Sequence, residues 1–268
     1  GVWLEPMVFH ATKHDTDSIG YSLTGGGVTL GLERTTAIGN VGVYFDWTTG
    51  NVKNNNDQSM HVSNIEFNAF WRKAFGRLYT FARVGYGRST YRITRTFTGA
   101  VDSTAISYSA TGNWKGNMLA ASGGLSYEMP LSETFKVRPK VSIDAYRLKE
   151  NGYQETGTDA IILLVDGRKS TAVNATTTLG FSWSGGASSY EGRPFTLEAD
   201  FGRRNHVAGD LGATTATFGS GSSFTLTPEN IRSAWVGSVG ILQGGLDYTW
   251  KISAGAEKPQ NGGLAYSL

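Results

Sequence analysis

The residues best suited to chemistry in this 268-residue chain are its four histidines. They are His10, His14, His61 and His206. Imidazole can serve as a general base, a general acid or a metal ligand near neutral pH. His14 lies beside Asp15 and Asp17, and His206 lies four residues before Asp210. All four histidines fall in loops or near the outer ends of predicted strands, so ordinary polar residues at strand ends are the simpler interpretation.

No sequence motif supports a catalytic or ligand-binding role for the histidines. The chain has no cysteine and carries no GxSxG, HExxH or Walker pattern. Its net charge is +2, and no run of Lys and Arg alternates with aromatic residues as in a nucleic-acid groove. The sequence therefore predicts a protein that is not an enzyme, has no catalytic or metal site and binds no nucleic acid.

The sequence around and between these residues alternates between apolar and polar side chains, with a period of two residues. In residues 135–145 the odd-numbered side chains are apolar and the even-numbered ones are charged or polar. Residues 41–48, 195–202 and 246–253 repeat the alternation. Such alternation is typical of β-strands with one apolar and one polar face.

About twelve segments of this type fit strands long enough to cross a bilayer at a tilt. The predicted strands are 2–13, 20–34, 41–50, 59–74, 78–95, 113–129, 135–150, 170–184, 195–206, 232–242, 245–256 and 263–268. The longest apolar stretch, Ala160 to Val165, is too short for a spanning helix, which needs roughly 20 residues. The fold class predicted is all-β, a 12-stranded antiparallel transmembrane β-barrel.

The predicted connections alternate between short and long. The short ones are 35–40, 75–77, 130–134, 185–194 and 243–244. The long ones are 51–58, 96–112, 151–169 and 207–231. Outer-membrane barrels have short periplasmic turns and longer external loops, so this alternation orients the strands.

The polar faces of the strands must point into the barrel, because Arg or Lys on the lipid face costs roughly 2 to 4 kcal/mol at the midplane. The predicted lumen-facing residues are Glu33, Asp46, Glu66, Arg72, Arg83, Lys136, Arg138, Lys140, Asp144, Glu198, Asp200, Asp247 and Lys251. Aromatic residues near strand ends on the apolar faces predict interfacial girdles. They are Trp47, Trp71, Tyr86, Tyr127, Phe135, Trp183 and Phe195.

Several short motifs occur in a characteristic order. They are GVW at 1–3, GVTLGLE at 27–33, FARVGYG at 81–87, GGLSYEMPL at 123–131, ATFGSGSSFTL at 216–226 and GGLAYSL at 262–268. Over essentially the whole chain this order resembles the autotransporter β-domain of type V secretion. The family usually ends in an aromatic residue, often with Tyr two positions earlier, so Tyr266 and Leu268 are the candidates for an assembly signal.

The resemblance implies a single barrel domain over 1–268 in the bacterial outer membrane, acting as translocator and anchor and binding no ATP or other cofactor. The partners implied are the outer-membrane bilayer, the barrel-assembly machinery and an N-terminal passenger that the barrel exports or displays. We expect a monomer, with neither the passenger nor the pore helix within these residues. Some members cleave their own passenger with lumenal acids, and the candidates for that role are Asp46, Glu66, Asp144 and Asp200.

Two alternatives share parts of this pattern. A porin-like outer-membrane solute channel has the same faces and loops, and the residues upstream of Gly1 would separate it from a translocator. A soluble β-barrel that binds a lipid or sugar would instead need its apolar faces inside.

Overall fold

The computed structural model describes residues 1–13, 20–54, 58–158, 160–185, 195–228, 231–244, 249–260 and 262–268. Within these ranges every regular element is a β-strand. The same ranges contain no helix that is long and apolar enough to cross a membrane.

Eighteen strands are numbered in chain order. They are β1 (Val2–Lys13), β2 (Tyr21–Thr36), β3 (Gly39–Asn54), β4 (Gln58–Phe75), β5 (Leu78–Val101), β6 (Thr104–Tyr127), β7 (Met129–Pro130), β8 (Phe135–Glu150), β9 (Tyr153–Gln154), β10 (Thr156–Gly157), β11 (Leu163–Val165), β12 (Arg168–Gly185), β13 (Phe195–Ala208), β14 (Thr214–Phe218), β15 (Ser223–Leu226), β16 (Ser233–Gly244), β17 (Thr249–Pro259) and β18 (Leu264–Ser267).

Twelve of these strands form one closed antiparallel barrel. Its members are β1 to β6, β8, β12, β13, β16, β17 and β18. Neighbours in the chain pair along the wall, β18 pairs with β1, and the β6–β8 pairing completes the ring. The predicted 12-stranded barrel is confirmed. Closure leaves no open sheet edge, which is the condition for placing strands in hydrocarbon.

The outer face of the barrel is apolar. Leu30, Phe67, Val84, Leu119 and Val239 point outward, and each is about half exposed or more. The buried hydrophobic residues among those described are few and mostly small, so the barrel has no apolar interior. This arrangement rules out the soluble barrel, whose apolar faces would lie inside.

The β5–β6 hairpin is longer than the sequence indicated. The predicted loop 96–112 is wrong, because residues 96–101 continue β5 and residues 104–112 begin β6. Only Asp102 and Ser103 form the turn, with φ of 47° and 67°. Threonine, β-branched aliphatic and aromatic residues in this stretch favour extended backbone, although the clean apolar alternation ends there.

Two predicted long loops contain a second, smaller sheet. Strands from 151–169 and 207–231 assemble in the order β15-β14-β11-β9. Leu163, Val165 and Ala216 are buried at its centre, and Tyr153 and Phe224 pack against them. We call this four-stranded unit the cap sheet.

The cap sheet is tied to the barrel wall by ring stacking and by a buried ion pair. Tyr153 stacks on Trp114 of β6 with ring centroids 4.4 Å apart, and Trp114 stacks on Tyr91 of β5 at 5.0 Å. Arg95 Nε of β5 donates to Glu155 Oε1 at 2.8 Å, and the Glu155 side chain is 1% exposed. Burial raises the pKa of Tyr153 to about 12.

The predicted turn 243–244 is also wrong. Gln243 and Gly244 belong to β16 and pair with Trp250 and Thr249 of β17. The ladder continues through these two residues because β17 supplies a partner for each. Residues 245–248 lie outside the described residues.

Candidate functional site: the barrel interior

Ion pairs that skip a strand identify the inner face of the wall. They are Arg72 with Glu33 at 2.7 Å, Lys140 with Asp200 at 2.6 Å, Lys251 with Glu198 at 2.7 Å, and Arg204 with Glu257. Strands two apart are separated by about 10 Å, because neighbours lie roughly 4.8 Å apart. Side chains bridge that gap readily only on a concave surface, where they lean towards one another.

One of these pairs depends on a glycine in the strand that it crosses. Lys140 of β8 reaches Asp200 of β13 directly over Gly180 of β12. A Cβ at Gly180 would lie 2.5 Å from Asp200 Oδ1 and 3.0 Å from Lys140 Cε. The missing side chain is therefore what lets the ion pair form against the wall.

A polar network, which we call the central network, runs along the inner face on one side of the barrel. Arg83 Nη1 donates to Tyr44 Oη at 2.9 Å, and Arg83 Nη2 donates to Ser122 Oγ at 3.1 Å. Ser122 Oγ in turn donates to Asp144 Oδ1 at 2.6 Å. These four residues belong to β3, β5, β6 and β8, so the network ties together one side of the barrel.

Two acids meet beside this network. Asp46 of β3 and Glu66 of β4 are directly opposite in the register. Asp46 accepts hydrogen bonds from Thr29 Oγ1 and from Asn68 Nδ2, the latter at 3.0 Å. Glu66 is 8% exposed. Among the described residues, Glu66 Oε1 and Asn68 Oδ1 have no hydrogen-bond partner.

A basic cluster lies at the end of the barrel that carries the short turns. Glu128, which follows β6, accepts from Lys136 Nζ at 2.9 Å and from Arg138 Nη2 at 2.6 Å. The hydrogen bond from Lys136 and that from Arg138 hold the pKa of Glu128 below its usual value. Above this cluster lies an interior cavity of about 690 Å³, lined among others by Arg138, Lys140 and Thr178.

Most of the predicted lumen-facing residues take part in these contacts. Glu33, Arg72, Lys136, Arg138, Lys140, Glu198, Asp200 and Lys251 form ion pairs, while Asp46, Glu66, Arg83 and Asp144 surround the central network. Asp247 lies outside the described residues. The four candidate acids for self-cleavage are not gathered in one place, because Asp200 is paired with Lys140 away from Asp46 and Glu66.

Sequence reasoning missed the neutral members of the interior. Tyr44, Ser122 and Asn68 complete the network, and the polar alternation of their strands already assigned them to the charged face. Trp3, Phe9 and Phe70 also lie inside, over Gly31, Gly25 and Gly42 of neighbouring strands. The alternation of β1 and β4 already places these rings on the inner face, and only their contact with strand glycines is new.

The predicted interfacial aromatics lie on the outer face. Trp47, Tyr86, Tyr127 and Trp183 are each more than 40% exposed. Trp71 Nε1 donates to the Ile38 carbonyl at 2.9 Å, at the short-turn end. Phe135 stacks with Phe181, and Trp183 meets Phe195 edge to face. That these rings form lipid girdles stays a prediction.

The described histidines have neutral neighbours. His10 Nδ1 contacts Thr24 Oγ1 at 2.8 Å, His61 Nδ1 contacts Asn51 Oδ1 at 2.9 Å, and His206 Nε2 contacts the Gly209 carbonyl at 2.8 Å. His14, Asp15 and Asp17 fall outside the described residues. The described parts of the chain contain no group of three or more potential metal ligands.

The candidate assembly signal lies at the β18–β1 seam. Tyr266 is half exposed on the outer face and packs against His10, with ring centroids 5.1 Å apart. Leu268 and Val8 exchange two backbone hydrogen bonds of 2.9 Å. These contacts join the last described residues to the first strand.

A closed antiparallel barrel with an apolar outer wall and a charged interior defines the class of outer-membrane β-barrel proteins. The sequence matches the family described as autotransporter beta-domain over residues 2–257. The chain belongs to this family and is an outer-membrane translocator barrel. The resemblance found in the sequence is thereby confirmed. No curated protein sequence matches the chain.

Solved structures share the fold at low sequence identity. The translocator domain of the autotransporter NalP from Neisseria meningitidis has a TM-score of 0.74 and 16% identity, covering 99% of this chain and 84% of that one. The transport unit of the autotransporter AIDA-I from Escherichia coli has a TM-score of 0.62 and 11% identity, with 99% and 87% covered. The β-domain of the Bordetella autotransporter BrkA has a TM-score of 0.59 and 12% identity, with 99% and 97% covered.

Proposed function

We propose that residues 1–268 act as one barrel domain that exports an N-terminal passenger through its lumen and then anchors it at the cell surface. Membership of the autotransporter family carries this proposal. The interior supports it, because cations and anions there are largely paired with one another along the wall. A polypeptide of either charge would therefore meet a surface without a strong net field.

The position of Gly1 in the barrel agrees with this route. Its backbone nitrogen donates to the Glu33 carbonyl at 2.6 Å, close to the turn that joins β2 and β3. A passenger joined upstream of Gly1 would therefore enter the lumen at the short-turn end. The cavity of about 690 Å³ lies at that same end, between Arg72, Phe81 and Thr178.

We infer that a single copy suffices and that the barrel-assembly machinery inserts it, with Tyr266 and Leu268 in the recognised segment. Closure within one chain supports the monomer, because the ring needs no strand from a second copy. We also infer that the domain is not an enzyme and uses no cofactor. The neutral partners of His10, His61 and His206 support this, since none resembles a catalytic pair.

Surface display tests the proposal. A signal peptide and a small epitope-tagged passenger are joined upstream of Gly1 and produced in a Gram-negative host. We expect antibody to label intact cells and added protease to remove the tag. The control replaces the barrel with an outer-membrane barrel of another family, which should leave the tag in the periplasm.

A porin-like channel would give the opposite pattern. The tag would stay in the periplasm although the barrel is folded and inserted, and planar bilayers would show a steady open conductance. Retention of the tag in the periplasm, with normal insertion, would refute the translocator function.

A further inference from the structure

Six basic side chains occupy one part of the outer wall. They are Arg88, Arg92, Lys115, Arg147, Lys149 and Lys169, all exposed, on the neighbouring strands β5, β6, β8 and β12. Each shares its face with exposed apolar residues of the same strand, such as Tyr86 on β5 and Leu119 on β6. We call this group the basic belt.

No acidic residue faces outward from these four strands. The outward positions are the even-numbered residues of β5 and the odd-numbered residues of β6, β8 and β12, and none of them is Asp or Glu. Within the described parts of the chain, no belt residue forms an ion pair. The interior cations differ, since most of them pair with a carboxylate of the same chain. Within the described residues the belt therefore has no counter-charge on its own face, and an external anion would supply one.

The strand register brings belt residues side by side. Arg88 is opposite Asn117, Asn117 is opposite Lys149, and Lys149 is opposite Lys169. Like charges directly opposite each other on one face of a sheet destabilise the pairing. An anion held between Lys149 and Lys169 would remove that repulsion.

The belt begins at the border of the hydrocarbon and extends about 10 to 15 Å beyond it, because Lys149 is fourteen residues from Phe135 and Lys169 is sixteen residues from Gly185. Arg88 is ten residues along β5 from Leu78 at the short-turn end, which is about 25 Å across the membrane for a tilt near 40° and about 3.3 Å per residue. The apolar band of such barrels is about 25 Å tall. Tyr86 lies just below, and its hydroxyl donates to Asn117 Oδ1 at 3.2 Å. The belt therefore starts where lipid headgroups of the external leaflet begin.

We propose that the basic belt binds the phosphate groups of phosphorylated lipid headgroups in the external leaflet. Lysine and arginine are common phosphate ligands, and charge-assisted hydrogen bonds to phosphate are among the strong ones. The belt faces the bilayer side and not the lumen, so a headgroup anchored in that leaflet reaches it directly.

The test compares two double variants in the intact barrel. Lys149→Gln with Lys169→Gln removes the facing lysines of the belt. Lys73→Gln with Arg77→Gln is the control, because it removes the same charge at the short-turn end, next to the turn between β4 and β5. The heat-dependent shift in gel mobility shows whether each variant is folded.

Binding is measured with diphosphoryl lipid A titrated into phosphatidylcholine nanodiscs that contain the protein, read by native mass spectrometry. We expect the belt variant to bind about tenfold more weakly or worse, as for the loss of one charged hydrogen bond. The control variant should bind within about twofold of wild type, and fully dephosphorylated lipid A should bind all three proteins weakly and alike.

Three outcomes would overturn the proposal. Unchanged affinity in the folded belt variant would show that Lys149 and Lys169 do not contact the headgroup. An equal loss in both variants would show a response to net charge alone. Displacement of the lipid by millimolar inorganic phosphate would show a site for free anions. Should the belt variant fail to fold, Arg147→Gln replaces it under the same criteria.

Discussion

Leu179 and Thr178 are adjacent residues of β12 that point to opposite sides of the wall. Leu179 is 43% exposed on the outer face, whereas Thr178 lines the interior cavity. Leu179 is six residues from Gly185, the last residue of β12, which is about 15 Å from the short-turn end at the same rise and tilt. That depth is near the middle of the apolar band, where a charge on the lipid side is most costly.

Arginine at each position should therefore have very different effects. We expect Leu179→Arg to lower the free energy of unfolding by about 2 to 4 kcal/mol, the cost of a guanidinium facing the bilayer midplane. We expect Thr178→Arg to cost less than about 1 kcal/mol, since the cavity has room and solvent-exposed ion pairs are worth little either way. Lys140, opposite Thr178, is already paired with Asp200.

Urea unfolding in phosphatidylcholine vesicles measures the difference, with tryptophan fluorescence and gel mobility as independent signals. Leu179→Gln separates the loss of the leucine from the effect of the charge. Equal costs for the two arginine variants, or a larger cost for Thr178→Arg, would mean that the inner and outer faces have been assigned the wrong way round.

Three further changes have defined outcomes. Because the pKa of Glu128 is lowered in the folded barrel, its ion pair with Lys136 should stabilise the fold above the ordinary value of 4.5 and lose that effect as pH falls. In Glu128→Gln the urea midpoint should therefore fall less between pH 5 and pH 3 than in wild type. The same pH dependence of the midpoint in both proteins would contradict this. Glu155→Gln breaks a buried ion pair with Arg95, and we expect this to weaken the docking of the cap sheet by about 3 to 5 kcal/mol. Added protease should then cut within 151–169 while the gel mobility of the barrel stays normal. Equal protease resistance in wild type and variant would count against the docking of the cap sheet. Gly180→Ala should lower the free energy of unfolding by about 1 to 3 kcal/mol, because the added methyl group crowds Asp200 and Lys140. Urea unfolding measures this loss. An unchanged stability would show that the neighbouring side chains move aside at no cost.

The sequence was most informative where the barrel touches lipid. One face of each strand must be apolar there and the other polar, so period-two alternation marks strands such as β8 with their observed bounds. Beyond the bilayer both faces meet water, and the signal disappears although the strands continue. This is why the sequence predicts loops for the upper parts of β5 and β6 and for the strands of the cap sheet.

The interior contacts were harder to predict than the inner face itself. Alternation assigns Lys140 and Asp200 to the polar side, but it does not reveal that they meet across an intervening strand. That contact depends on the stagger of neighbouring strands around the ring and on a glycine at one position. The stagger is a property of the closed barrel and leaves no trace in either strand alone, and Gly180 is one of 36 glycines in the sequence.

The rings of Trp3, Phe9 and Phe70 lie over strand glycines and occupy the space that a side chain at each glycine would fill. Because no second side chain lies between ring and wall, these bulky residues take up less of the free bore than their size suggests. A chain passing them would meet a mainly apolar surface with few hydrogen-bonding groups. Opposite residues larger than glycine, the same rings would stand further into the lumen and narrow the path.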